Sequence, residues 1–123
     1  MDPDQLIAAA TALAHPFKAS DDCESGSVAA ALVTEAGNVY TGVCIDAHCG
    51  LGFCAEHAAV AEMLKHRESR IQMIVAVHSD GAIGPPCGRC RELIWQVSPR
   101  NAGAQVILGV GRQAQLAALL PER

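Results

Sequence analysis

The sequence predicts a mixed α/β fold in which helices cover a single sheet. Three observations carry that prediction. Short apolar runs alternate with helix-forming segments along the chain, the pattern of a mixed sheet flanked by helices. One of those runs, Ile71 to Val77, is apolar almost throughout, as a strand buried on both faces must be. Half of the 123 residues are hydrophobic but only 3% are aromatic, so the core must be built mostly from Ala, Val, Leu and Ile. The length suits one domain spanning residues 1–123.

Taken in order, Gln5 to Ala14 reads as a helix. Leu6, Ala9, Ala10 and Leu13 recur at helical spacing, and Pro3 suits a first turn. His15 to Gly26 is polar and reads as irregular. Ser27 to Glu35 and Val39 to Ile45 read as a hairpin about the Gly37-Asn38 turn signal. Asp46 to Phe53, with Gly50 and Gly52, reads as a loop. Cys54 to His66 is rich in helix formers and ends in Lys65-His66-Arg67, positive charge where a helix C-terminus favours it. Ile71 to Val77 is the buried strand, and Ser79 to Pro86 a Gly/Pro loop. Cys87 to Val97 places Cys90, Leu93, Ile94 and Val97 on one helical stripe. Gln105 to Leu108 reads as a further strand. Gln113 to Leu120 reads as a short helix, or as a very short strand near Arg112 followed by a helical turn.

Composition excludes several functions. The net charge is −4 and no Lys/Arg run exists, whereas a phosphate backbone is bound by Lys and Arg. No stretch approaches the ~18 apolar residues needed to span a membrane. The start, Met1-Asp2-Pro3-Asp4-Gln5, is acidic and resembles neither a signal nor a transit peptide. A cytoplasmic setting is therefore expected, and there thiols stay reduced. Six cysteines in such a setting read first as metal ligands or reactive thiols, and second as small buried residues.

Two segments carry chemistry. Cys54-Ala55-Glu56 and Pro86-Cys87-Gly88-Arg89-Cys90 each open a predicted helix after a loop. Cys87 and Cys90 are three apart, so both thiols lie on one face of a first turn. Pro86 favours an extended residue before it, which helps the helix start there. Helix N-termini carry unpaired N–H groups and partial positive charge, which stabilise thiolates. Cys54 brings a third thiolate to a second such end. Three ligands leave one zinc position open to water, the layout of a catalytic site. Glu56 lies about 200° around the helix from Cys54. It does not share the ligand direction, but from the first turn its carboxylate can reach back beside the metal-bound water.

With Tyr40-Thr41-Gly42-Val43, Ile74-Val75-Ala76-Val77, Arg91 directly after Cys90 and Leu119-Leu120-Pro121, these motifs make the chain resemble the cytidine deaminase family. The resemblance is close to the blasticidin-S deaminase relatives and covers most of the chain. It implies a three-layer α/β/α arrangement with a mixed sheet of four to five strands. It also implies hydrolytic deamination of a free cytosine-type nucleoside, or of a modified or non-nucleoside aminopyrimidine. One Zn²⁺ per chain would be held by Cys54, Cys87 and Cys90, and Glu56 would move protons from water to the ring nitrogen and the leaving amine. The backbone N–H of Ala55 would meet the base carbonyl, and the carbonyl of Pro86 or Cys87 the amine. The resemblance further implies a homotetramer with active sites completed at subunit interfaces. A non-catalytic structural zinc module is the rival reading.

The sequence departs from the family pattern in the substrate shell. The side chains that hold a sugar in nucleoside-type members, Asn-x-Glu, are here Cys44 and Asp46. The aromatic expected before the first strand is Gly26, and none follows Pro121. His57 stands where the family has Arg. Three thiolates on Zn²⁺ leave a net charge of −1, for which Arg89 and a protonated His57 are the candidate compensation. Cys44 and Cys49 read as pocket lining or buried thiols, Cys23 as a loop thiol, and His48 as facing substrate or solvent. His15, His66 and His78 read as surface or strand-end residues. Arg91 reads as paired with a carboxylate across a subunit contact or as solvated, and Trp95 as core or interface.

Overall fold

The computed structural model covers residues 1–123. Helix α1 (Pro3–Thr11) opens on a capping box. The Asp2 carboxylate accepts from the Gln5 N–H at 2.8 Å, and the Gln5 side chain accepts from the Asp2 N–H at 3.0 Å. This cap starts the helix two residues before the expected position. Leu6 and Ala10 are its buried face.

Seven strands form one sheet: β1 (Phe17–Ser20), β2 (Cys23–Thr34), β3 (Val39–Ala47), β4 (Ile71–His78), β5 (Ile83–Gly84), β6 (Gln105–Gly109) and β7 (Arg112–Gln115). The long β2 is the hub. β3 runs antiparallel along one edge, while β1 and then β4 take the other. β6 pairs parallel to β4 and antiparallel to β7. Five of these strands, β2, β3, β4, β6 and β7, make the expected mixed sheet. β1 and β5 are additional short ones. All four residues of β1 are exposed, so no apolar alternation marked it, and the reading of His15 to Gly26 as irregular is corrected here. After β7 the chain makes a 3-10 helix, Leu116–Leu119. Of the two readings of Gln113 to Leu120, the short strand with a helical turn is therefore the one found.

The sheet is covered on both faces. α2 (Ala55–Lys65) and α3 (Gly88–Val97) lie on one side and α1 on the other. Between the sheet and α2/α3 pack Leu32, Val60, Met63, Ile74, Ile94 and Val106. Between the sheet and α1 pack Leu6, Val33, Met73, Val75 and Ile107. Successive residues of β2 alternate between the two cores, as the strand period of two requires: Ala30 and Leu32 face one, Ala31 and Val33 the other. Small residues let α2 sit close to the sheet. A Cβ on Gly42 would stand 2.5 Å from the Cβ of Ala58 and the backbone N of Ala59. Buried Asn101 joins three segments. Its Nδ2 donates to the carbonyls of Ile94 and Ser69, each at 3.0 Å, and its Oδ1 accepts from the Ile71 N–H at 2.8 Å.

Candidate active site

The two cysteine-bearing segments meet at adjacent helix starts. Cys54 is the N-cap of α2 and Cys87 the N-cap of α3, both in extended backbone and neither using its thiol as a cap. Both thiols are thus free to turn toward a common point. Cys90, in the first turn of α3, is fully buried. The sulfurs of Cys54 and Cys87 are 3.4 Å apart, and those of Cys87 and Cys90 3.5 Å apart. His57 Nδ1 lies 3.3 Å from the Cys90 sulfur. Cys54, His57 and Cys90 offer ligand atoms all within 4.8 Å of one another, a cluster able to hold one metal ion. Zinc binds sulfur at ~2.3 Å, which gives a tetrahedron edge of about 3.8 Å, close to the sulfur separations found. The donor chemistry, thiols with an imidazole beside them, fits zinc.

The ionisation pattern is that of crowded thiols. Burial pushes the Cys54 thiol up, and its contact with Cys87 adds to this. Burial likewise raises Cys90, strongly, with the Glu56 carboxylate reinforcing it. Cys87 goes the other way. Burial raises it, but the N–H groups of Cys90 and Arg89 and the neighbouring thiols outweigh that and bring it down. Helix-end stabilisation of a thiolate thus holds for the most exposed member and is overridden at the other two. Burial also raises the Glu56 carboxyl, only partly offset by a backbone hydrogen bond, Cys90 and His78. His57 is lowered by burial and then by the charge of Arg89.

These groups open onto a cavity of about 490 Å³. Cys54, Glu56 and Cys87 line it, and so do Cys44, Asp46, Ala55 and Arg89. Pro86 does not. It backs a separate small void behind Glu56, and its carbonyl accepts from Arg91 Nε at 2.8 Å. On the β2/β3 wall, the Ser27 hydroxyl donates to Asp46 Oδ2 at 3.3 Å and lies 3.3 Å from the Cys44 sulfur. The Cys44 sulfur also accepts from the Val28 N–H at 3.4 Å.

Several residues turn out to sit where the sequence reading had not put them. His78 ends β4 and is exposed, as its sequence context suggests, and in addition it lines the cavity. The signal was available: Ala76 and His78 are two apart on β4 and must share a face. Ser27 and Phe53 also line the cavity. Phe53 reaches it through an isolated bridge to Ile45, with its ring stacked on His57, and no periodicity announces such a bridge. Arg91 is half-buried, and within the chain its guanidinium spans two backbone carbonyls. Cys49 is exposed in a turn, and His48 faces Asp22 at 3.5 Å on the surface. At Gly26 no larger residue fits. Its φ is +88° at a bulge of β2, and a Cβ would stand 2.4 Å from the His15 carbonyl oxygen.

A covered mixed sheet with a thiol cluster at two helix N-termini, and a buried carboxyl beside it, defines an α/β protein with a site able to hold a metal ion. The family described as cytidine and deoxycytidylate deaminase zinc-binding region matches residues 3–104, and the chain belongs to it. Zinc is the cofactor of that family region. The chain is 30% identical over 98 residues to the cytidine deaminase of Mycobacterium tuberculosis, covering 78% of this chain and 71% of that one. The crystal structure of that enzyme superposes with a TM-score of 0.83 at 27% identity, over 99% of this chain and 96% of that one. The crystal structure of cytidine deaminase from Burkholderia pseudomallei superposes with a TM-score of 0.77 at 30% identity, over 99% and 98% of the two chains.

Proposed function

We propose that this chain is a zinc-dependent hydrolase that converts a free cytosine-type nucleoside, cytidine or deoxycytidine, to the uracil nucleoside and ammonia. The observation that carries the proposal is a buried Glu56 beside three converging thiols on the wall of one cavity. Cys54, Cys87 and Cys90 would hold one zinc, with His57 Nδ1 3.3 Å from the Cys90 sulfur and Arg89 adding positive charge. When bound, zinc lowers the pKa of a water toward ~7. Glu56 would take one proton from the attacking water and deliver it to the ring nitrogen. It would then take the second from the C4 hydroxyl and pass it to the amine, so that the C4–N bond breaks as the C4 carbonyl forms and ammonia leaves. Its raised pKa suits a group that must both accept and return a proton. Ala55, first residue of α2, presents an N–H that helix pairing leaves free for the base carbonyl. For the amine, the Cys87 carbonyl is favoured over that of Pro86, since Cys87 lines the cavity and Pro86 does not.

One observation favours a second substrate reading. Where an amide would both donate and accept, the β2/β3 wall offers a thiol and a carboxylate already engaged by Ser27. A modified or non-nucleoside aminopyrimidine, such as blasticidin S or an N4-substituted cytidine, is the alternative it admits. The structural zinc module is disfavoured because it gives Glu56 no task. Residues 1–123 act as one domain in this reading, in a cytoplasmic setting consistent with six free cysteines. Phe53 lines the cavity and is exposed, and Leu51, 77% exposed, lies between the lining residues Gly50 and Gly52, which supports a homotetramer that covers them.

A substrate panel tests the proposal, read by ultraviolet absorbance and ammonia release. It contains cytidine, deoxycytidine, cytosine, blasticidin S, an N4-substituted cytidine and an aminopurine. Turnover of the first two is expected, and no turnover of any pyrimidine would overturn the assignment. Glu56→Gln should keep about one zinc per chain while losing on the order of 10²–10⁴ in rate.

A further inference from the structure

We infer that Arg91 is a positioning residue for the metal site, a guanidinium bridge that anchors the Cys87 end of it to the core. The inference rests on the reading of Cys87 as a zinc ligand. Cys90 needs no such help, because it is fully buried and fixed by packing. Cys87 is exposed, and its thiol touches only the other two thiols. Its direction is therefore set by its backbone, above all by the plane of the Pro86–Cys87 peptide.

Arg91 holds the two peptides that flank Cys87, the Pro86–Cys87 peptide through its side chain and the Cys87–Gly88 peptide through the ordinary helical bond of its backbone. Its side-chain Nε donates to the Pro86 carbonyl at 2.8 Å, and its backbone N–H donates to the Cys87 carbonyl at 3.0 Å. The same guanidinium donates through Nη1 to the Leu119 carbonyl at 3.1 Å. Leu119 ends the 3-10 helix that Leu116 begins, and Leu116 is fully buried with its N–H on the Ala104 carbonyl at 3.0 Å. A rigid part of the core is thus tied through one side chain to the peptide that aims an exposed thiol. Charge-assisted donation from a planar fork suits this task. A lysine has a single nitrogen and lacks the fork that spans both carbonyls.

The tail makes a second attachment farther along α3. Arg123 forms a bidentate pair with Glu92 at 2.9 and 2.7 Å and lies over Trp95, 5.0 Å from the ring centre. That contact involves neither Pro86 nor Cys87, so it provides an internal control.

The test uses the full chain, loaded with zinc and separately with Co²⁺. Zinc affinity is read by competition with a chromophoric chelator, and sulfur geometry by the thiolate-to-cobalt absorption band. In Arg91→Gln the zinc dissociation constant should rise roughly tenfold to a hundredfold, as loss of an outer-sphere partner does, and the cobalt band should shift. Arg91→Lys, which keeps the charge and part of the packing, should fall between Arg91→Gln and the parent. It also serves if Arg91→Gln does not fold. Arg123→Ala should lower thermal stability while leaving zinc affinity and the cobalt band unchanged. Parent-like affinity and spectrum in both Arg91 variants would overturn the inference. So would an equal loss of affinity in Arg123→Ala, which would mean that general docking of the tail is what matters. Cys87→Ser separates the two levels. If it binds zinc as the parent does, the ligand reading fails and this inference with it. If it loses zinc while the Arg91 variants do not, only the role of Arg91 fails.

Discussion

Burial lifts the Glu56 carboxyl above the usual carboxylate range, and the Cys90 thiol and His78 pull it back only in part. The same balance of desolvation against local donors separates Cys87 from Cys54 and Cys90. Outside the cavity, a smaller network works mainly by hydrogen bonding. Glu68 accepts hydrogen bonds from Tyr40 and from Asn38 Nδ2, and Tyr40 stacks on His66 with ring centres 5.3 Å apart. The bond from Tyr40 holds the Glu68 carboxyl below its ordinary range and pushes the Tyr40 phenol up to about 12. A depressed carboxyl stabilises the fold above its ordinary pKa, and that contribution is lost as pH falls through the depressed value. A raised phenol stabilises below its ordinary pKa, and its contribution is lost as pH climbs toward 12. Tyr40→Phe should therefore lower the melting temperature most between about pH 5 and 9. The gap to the parent should close on both sides of that window, and a pH-independent gap would contradict the coupling. At this scale Glu56 and the three site cysteines were legible, because spacing and residue type suffice to suggest them. The contacts of Ser27 and Arg91 were not, since their partners come from distant segments.

The α2 helix carries two of the proposed site residues, Cys54 at its cap and Glu56 in its first turn. What sets its height above the sheet is the contact at Gly42 of β3, where a side chain would overlap Ala58 and Ala59. Gly42→Ala should cost about 1–3 kcal/mol in urea unfolding, the usual penalty for overpacking a tight contact. The displacement of α2 should weaken zinc binding in the same variant. An unchanged unfolding midpoint would show that the helix is not held by this contact. Elements with a strong period, α2, α3 and β4, were readable to within a residue or two of their ends. β1 was not, because all four of its residues are exposed and alternation has nothing to mark. Nor was the role of Asn101, whose three hydrogen bonds join α3, β4 and the Ser69 loop. A single polar residue in a turn carries no signal of burial.

At the scale of the whole molecule, the sheet separates two apolar cores and the metal cluster sits outside both, between the starts of α2 and α3. Those two starts lie 33 residues apart in sequence, at Cys54 and Cys87. A metal shared between them is a cross-link present only in the folded state. Removing zinc with a chelator should therefore lower stability, by about 2.7 kcal/mol where free zinc had stood a hundredfold above its dissociation constant. The loss should reverse on adding zinc back. A melting temperature indifferent to chelation would rule out zinc held between the two helices.

The sequence by itself determined the fold class, the main elements and the family, and it singled out three cysteines as candidate zinc ligands. Each of these follows from information local to a segment: a period, a cap, a pair of cysteines one turn apart. Tertiary structure alone decided how the thiols are tuned, because burial and neighbouring charge depend on what packs around them. It decided that His57 stands beside Cys90 and that Pro86 turns away from the cavity. It also decided that Arg91 spends its donors on two backbone carbonyls from separate parts of the chain. Such contacts join residues whose separation along the chain bears no fixed relation to their distance in space, so no pattern along the sequence records them.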